Sequence, residues 1–194
     1  MENTSQGRPR DDRIDAAVLQ ATLEELAEVS FSDFTLKAVA ARAGTSVPAI
    51  RRRWPSKTHL VHQAVFPEDI AIPPRRDDTG LREEIELIVG SCAMMMSVPS
   101  VVRAMTGLFS ELSADNTLRK ELTEGLRGRV WEDLTERLAD AAAREGVALV
   151  IDVGALVEAV FGGALMAAMI RPEAALDEAW CAGMTDLILN GIRR

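Results

Sequence analysis

The sequence predicts an all-α fold, a small N-terminal helical unit joined to a larger helical body, and three observations predict it. Apolar residues recur at steps of three and four along the chain, and the part beyond residue 80 holds no strand pattern and no internal repeat. Near the N-terminus, Thr, Gly, Ser and Pro stand where helices start and stop. A polar, Pro-rich break over residues 67–80 (Pro67, Pro73, Pro74, Arg75 to Asp78, Gly80) then separates those short helices from longer ones. Hydrophobic residues make up 47% and charged residues 27% of the 194, enough apolar matter for a substantial core. Aromatics are only 4%, with no Tyr, so Ala, Leu, Val, Ile and the eight Met must build that core.

Residues 1–10 are polar and read as a flexible basic arm. The first helix is expected from about Asp11 to Val29, with the acidic pair Asp11-Asp12 favouring its positive N-terminal end. Ile14, Val18, Ala21, Thr22, Leu26 and Val29 form its stripe. Ser30 to Phe34 is a turn with Phe31 and Phe34 packed beneath it. Thr35 caps a short second helix carrying Leu36, Val39, Ala40 and Ala43, and Gly44 ends it. Thr45 or Ser46 caps a third, with Pro48 in its first turn and Val47, Ile50 and Trp54 inward. Pro55 stops it, and Ser56 caps a fourth with Leu60, Val61, Ala64 and Val65 buried. Beyond the break, helices are expected over about Leu81–Ser97, Pro99–Ser113, Asn116–Glu145, Asp152–Ile170 and Ala174–Ile192, giving about nine in all. The units are thus 1–10, an arm; 11–66, a head; and 67–194, a body.

Charge divides the same way. The whole chain carries −8, but residues 1–66 sum to +1 and residues 67–194 to −9. Between Lys37 and Lys57 stand six basic residues and no acid. A locally basic segment on an acidic body suits a protein that touches phosphates with one face only. A helix ending at Gly, a short turn and a second short helix with a polar face is the helix-turn-helix pattern, which lays its second helix in the major groove. Here that helix is Ser46 to about Arg53, with Ser46, Ala49, Arg52 and Arg53 outward and Arg51 on its flank. Guanidinium groups can fork onto guanine or grip phosphate, and Lys57 beside the first amides of the next helix makes a phosphate clamp.

These residues carry a resemblance. The stretch from Gly7-Arg-Pro-Arg through Ala64, with Thr35-Leu-Lys-Ala-Val-Ala-Ala-Arg-Ala-Gly44, Ser46 and Ile50-Arg-Arg-Arg-Trp-Pro-Ser-Lys57, resembles the N-terminal domain of the tetracycline-repressor (TetR) family. The resemblance implies an N-terminal three-helix helix-turn-helix DNA-binding domain followed by a helical ligand-binding and dimerisation domain. It implies that Thr35, Arg51, Arg53 and Lys57 contact phosphates, and that Ser46, Val47, Pro48, Ala49 and Arg52 face bases. Arg8 and Arg10 resemble the minor-groove arm of some members, and Trp54 the family's aromatic core anchor. The family usually has Tyr at the place of Arg51 and often Thr at that of Ala49, so the operator sequence does not carry over.

Later blocks match more loosely: Asp78-Thr-Gly80 with Leu81-Arg82, Gly162-Gly163-Ala164-Leu165 and Leu187-Ile-Leu-Asn-Gly191. The helix after Asp152 is apolar on more than one face and so calls for cover on both sides. Leu156, Val160 and Ala164 on it, with Trp180, Met184, Leu187 and Ile188 on the last helix, are the expected dimer interface, a four-helix contact of two-fold symmetry. Met94, Met95, Met96, Met105, Phe109, Trp131 and Phe161 are the candidate ligand pocket, because soft Met side chains adapt to varied ligands. No buried acid, His cluster or Gly-rich phosphate loop points to a ligand class.

The reading is therefore a sequence-specific DNA-binding regulator: a homodimeric repressor on a palindromic double-stranded operator, released by a small-molecule effector. No cofactor, metal or catalytic residue is expected. His59 and His62, three apart, are the closest approach to a metal pair but lack a third ligand. Cys92 and Cys181 give neither a disulfide framework nor metal spacing, and each is expected to be buried. The N-terminus has no signal-peptide core, and Asp152 and Glu158 interrupt the longest apolar run, leaving 159–170, too short to span a bilayer. A cytoplasmic location is expected.

Overall fold

A computed structural model describes residues 12–67, 78–150, 152–171 and 176–192. Among these there is no strand, and ten α-helices follow one another. The head holds α1 (Asp12–Glu28), α2 (Leu36–Arg42), α3 (Val47–Arg51) and α4 (Lys57–Val65). The body holds α5 (Leu81–Met96), α6 (Pro99–Ala114), α7 (Asn116–Leu126), α8 (Glu132–Glu145), α9 (Val153–Ile170) and α10 (Glu178–Ile192). The long third helix expected for the body is helical throughout, with Arg127–Trp131 forming a π-helical turn between α7 and α8. Arg8, Arg10 and most of the 67–80 break lie outside the described residues.

The short helices of the head are defined by local chemistry. Thr35, Ser46 and Ser56 each hold an extended backbone and accept from the amide three residues on (Ala38, Ala49 and His59, at 3.2, 3.3 and 3.4 Å). Each offsets one of the unpaired donors of a helix start. Gly44 ends α2 at φ 64, where Thr45 N–H reaches Ala40 O at 2.9 Å and Gly44 N–H reaches Ala41 O at 3.4 Å. That pair of bonds is a Schellman closure, and it needs a left-handed residue.

Two apolar clusters organise the chain. One joins the head to α6: Val18, Leu26, Phe31, Phe34, Ile50, Trp54, Leu60 and Val61 pack with Val101, Ala104, Met105 and Leu108. The head therefore does not close its core alone; α6 lies against both α1 and α4 and supplies one wall. The other cluster belongs to the body, where α5 is the central helix, packed by α8, α9 and α10.

The body also buries an acid against a base beside that second cluster. Glu84 and Arg137 each have side chains only 2% exposed. Arg137 Nε donates to Glu84 Oε2 at 2.9 Å, and Nη2 lies 2.7 Å from the same oxygen. Both sit on apolar stripes, Glu84 between Leu81 and Ile88, and Arg137 between Leu134 and Ala141. An isolated charge there would be costly, so the two residues are placed as a pair.

The dimer expectation is corrected in part. Leu156, Val160 and Ala164 of α9, and Ile188 of α10, are buried inside the chain itself, where that stripe packs. Trp180 and Met184 are half-buried, lying against Gly163 of α9, whereas Leu187 is exposed. The outward face of α9 consists instead of Ala155, Glu158, Ala159, Gly162, Met166, Met169 and Ile170, apolar except for Glu158. At 18 residues and mean hydropathy 2.0, α9 is long and apolar enough by composition to cross a membrane. The run 159–170 understated it, since the helix continues back through Glu158 to Val153.

The candidate pocket residues do not converge. Met95, Met105 and Phe161 join the cluster shared by head and α6, as does Met96. Met94 and Phe109 face solvent at 74% and 48% exposure, and Trp131 lies beside Gly154 at the start of α9. Both cysteines are half-buried rather than fully enclosed; burial pushes the Cys92 thiol up to about 11 and raises that of Cys181.

Candidate nucleic-acid interface

Helix α3 is only five residues long and is held from behind. Ile50 is buried, and Trp54 beyond it is 3% exposed, with its indole N–H donating to Gln63 Oε1 at 2.6 Å. This anchors the inner side, so Ser46, Pro48, Arg51 and Arg52 remain exposed, with Val47 and Ala49 half-buried beside them. Each of the five residues expected to face bases thus keeps some exposure. Ser46 Oγ also caps the helix it begins.

The six cations between Lys37 and Lys57 divide into two kinds. Arg42 is turned onto α1, donating to Glu28 at 3.1 and 2.9 Å and to Glu25 at 3.1 Å. The hydrogen bonds that it donates to Glu28 and then to Glu25 raise its pKa. Arg53 was expected outward, on phosphate, but it lies 2.6 Å from Asp15 of α1 with a side chain 20% exposed. It begins the turn back toward Trp54, so its side chain follows the buried side toward α1. Both arginines tie the head together by pairing with acids of α1.

Lys37, Arg51 and Arg52 are exposed and have no ion-pair partner among the described residues. Lys37, Arg51 and Lys57 line one open groove of about 440 Å³ with Leu36, Val47, Pro55 and Ser56. Lys57 is half-buried there. Its Nζ donates to Phe31 O at 3.2 Å and stands 4.4 Å from the centre of the Phe31 ring. An ammonium has three donors, so two remain for a ligand. Thr35 is exposed nearby in sequence, and its hydroxyl, though used as an acceptor by Ala38 N–H, keeps its own proton to donate.

The histidines serve the seam between head and body. His59 Nδ1 is 2.8 Å from Ser56 Oγ, and Nε2 is 3.4 Å from Glu121 Oε1 on α7. His62 packs against Phe66, with ring centres 5.2 Å apart, and Phe66 lies 6.3 Å from Phe161 of α9. Burial, with a smaller contribution from neighbouring His59, pushes His62 down to about 4. Among the described residues, no group of three or more His, Cys, Asp or Glu is arranged to hold a metal ion.

A short helix held at its back by a tryptophan, with unpaired cations around its front, is the geometry of a helix-turn-helix that enters a nucleic-acid groove. Residues 18–64 match the model of the family described as bacterial regulatory proteins, tetR family, and residues 76–188 match that described as tetracyclin repressor-like, C-terminal domain. The chain belongs to the TetR family of bacterial transcriptional regulators, with its DNA-binding domain at the N-terminus. Solved structures share the fold along nearly all of the chain. The native full-length TylP, a TetR regulator from Streptomyces fradiae, is 18% identical over 96% of this chain and 89% of its own, with a TM-score of 0.67. A TetR transcriptional regulator from Agrobacterium tumefaciens is 18% identical, covering 95% and 96%, with a TM-score of 0.62. One from Rhodococcus sp. RHA1 is 20% identical, covering 90% and 97%, with a TM-score of 0.59. Among curated protein sequences nothing matches.

Proposed function

We propose that the protein is a homodimeric repressor that reads a palindromic operator through α3 and leaves it when a small molecule binds the body. Arg52, with Ser46, Val47, Pro48 and Ala49, reads bases; Thr35, Lys37, Arg51 and Lys57 hold phosphates. Arg53 is left out of this set because Asp15 occupies it.

The observation that carries the homodimer is the uncovered apolar face of the last two helices. Met166, Met169 and Ile170 on α9 and Leu187 on α10 are 52–68% exposed. Large apolar side chains left this exposed on two successive helices fit a contact with another molecule. A two-fold contact there would present two heads to one duplex, about one helical turn or a multiple apart. Trp180 and Met184 flank that face, while Leu156, Val160, Ala164 and Ile188 support it from within. Release by a ligand follows if the ligand fits only a conformer whose two α3 helices are wrongly spaced. Met95, Met105 and Phe161, at the junction of head and body, are where such a ligand would act on the head.

The experiment is sedimentation of the full chain alongside the pair Ile170→Asp and Leu187→Asp, with DNA titration of each. A dimer that becomes monomeric in the variants, with loss of tight DNA binding, supports the reading. A wild-type monomer, or variants that remain dimeric, would overturn it. On DNA, Arg52→Ala should change the order of preference among operator variants. Lys57→Ala should weaken all of them alike and flatten the salt dependence.

A further inference from the structure

Phe31 stands between the body and the cation that faces phosphate. Its backbone carbonyl accepts from Lys57 Nζ at 3.2 Å, and its ring lies under the same ammonium. Its side chain is buried against α6, directly over Gly107, where a Cβ would collide with Phe31 Cβ and Cγ. Those are the root atoms of the side chain, so the ring could not swing aside without moving its own backbone. One turn earlier on the same helix, Arg103 donates to Leu26 O at 3.0 Å and also to Ala27 O. These carbonyls belong to the last turn of α1, the negative end of its dipole. Arg103 and Gly107, four residues apart, therefore hold the end of α1 and the turn after it from one face of α6.

We infer that Phe31 is a positioning residue for Lys57, and that Gly107 of α6 fixes Phe31, so that the body sets the aim of a phosphate contact in the head. This rests on the reading above in which Lys57 holds a phosphate. Lys57 sits on a flexible four-carbon stem, and a carbonyl together with an aromatic face restricts it before DNA arrives. The Phe31 carbonyl takes one donor of the ammonium, and the ring holds its flank, at the edge of the groove shared with Lys37 and Arg51. Any movement of α6 relative to α1 displaces Phe31 and, with it, Lys57. The turn that carries Phe31 is itself stiff: Asp33 and Phe34 N–H both reach Ser30 O, and Ser30 Oγ donates to Asp33 at 2.7 Å.

The test is a double-mutant cycle of Phe31→Leu and Lys57→Ala, read on a labelled duplex selected from a random pool by the full-length protein. Lys57→Ala is expected to weaken binding about tenfold, as loss of one charge-assisted bond does. It should also flatten the salt slope by about 0.9, the share of one phosphate. Phe31→Leu keeps most of the apolar volume but removes the ring, and should show a smaller loss with the same flattening. In the Lys57→Ala background it should cost less than about twofold more, because residues acting through one another are not additive. Gly107→Ala should reproduce the Phe31→Leu signature. Additive losses, or a loss with the slope unchanged, would overturn the positioning role while leaving Lys57 on DNA. If Lys57→Ala changes neither affinity nor slope, the phosphate reading falls, and this inference with it. A readout that needs no variant to fold is the proton spectrum of the unmodified protein. The Lys57 ε-methylene should be shifted upfield by the Phe31 ring, and an ordinary free-lysine position would refute the contact.

Discussion

The core that joins the head to α6 is closed by alkyl and aromatic side chains with its ion pairs kept at the rim, whereas the body's core encloses a carboxylate and a guanidinium. In the first, Arg42 and Arg53 bind α1 carboxylates from partly exposed positions. In the second, Arg137 and Glu84 have lost almost all contact with water. Exposed pairs contribute little and tolerate movement, while a buried pair with one partner removed leaves an uncompensated charge. The difference teaches where the molecule can shift. The seam along α6 is apolar apart from the Arg103 bonds to the end of α1, whereas the bundle around α5 is held in the arrangement that brings its charges together.

The largest effect expected from this contrast is in the body. Glu84→Gln should destabilise the protein by about 3 kcal/mol in urea unfolding, because buried Arg137 loses the carboxylate 2.7 Å away while Asp133 stays at 3.6 Å. The double variant Glu84→Leu with Arg137→Met should recover most of that loss. A cost for Glu84→Gln no larger than that of a surface pair would break the comparison. Next comes Leu108→Ala on α6, expected to cost about 3 kcal/mol as a buried leucine truncation. If the head's core is shared as described, amide exchange should quicken in α1 and α4 together with α6, and stay unchanged in α8. Faster exchange confined to α6 would show that the head closes its own core.

A smaller, pH-dependent term sits on the seam. Burial holds His62 at about 4, below its ordinary 6.5, so the folded chain resists a proton that the unfolded chain accepts. Its neutral form is favoured by folding, so stability is full above about pH 6.5 and falls as pH drops toward about 4, below which the loss levels off. Allowing for the partly exposed ring, the loss should be about 1–2 kcal/mol, and a His62→Asn variant measured over the same range should lack it. Equal acid sensitivity in both proteins would place the cause elsewhere. The least costly change is Ser56→Ala, which removes the cap of α4 and should lower stability by about 1 kcal/mol.

The head was legible in the sequence because its structure is set locally. Caps at Thr35, Ser46 and Ser56, a left-handed closure at Gly44 and the Pro55 stop all act within four residues. What escaped there was the fate of individual cations: nothing within four residues of Arg53 announces that Asp15, on another helix, will take it. The body was read only as a set of helices. Which face of α9 turns inward depends on α5, and three apolar positions chosen for a dimer, Leu156, Val160 and Ala164, are used inside the chain. On a helix apolar all round, the periodicity that separates inside from outside is weak. Glu84 and Arg137 did leave a signal, opposite charges set on two apolar stripes, but only pairing α5 with α8 gives it meaning. Gly107 shows the same limit, since its reason is the Phe31 ring, 76 residues away in the chain.

The most direct test of the account is selection of bound duplexes from a random DNA pool by the full-length protein, followed by titration of the winner at two salt concentrations. The account predicts a palindromic motif, bound with a steep loss of affinity as salt rises, because two heads each bring several cations to phosphate. Recovery of no motif, with weak binding that depends on salt alone, would contradict it.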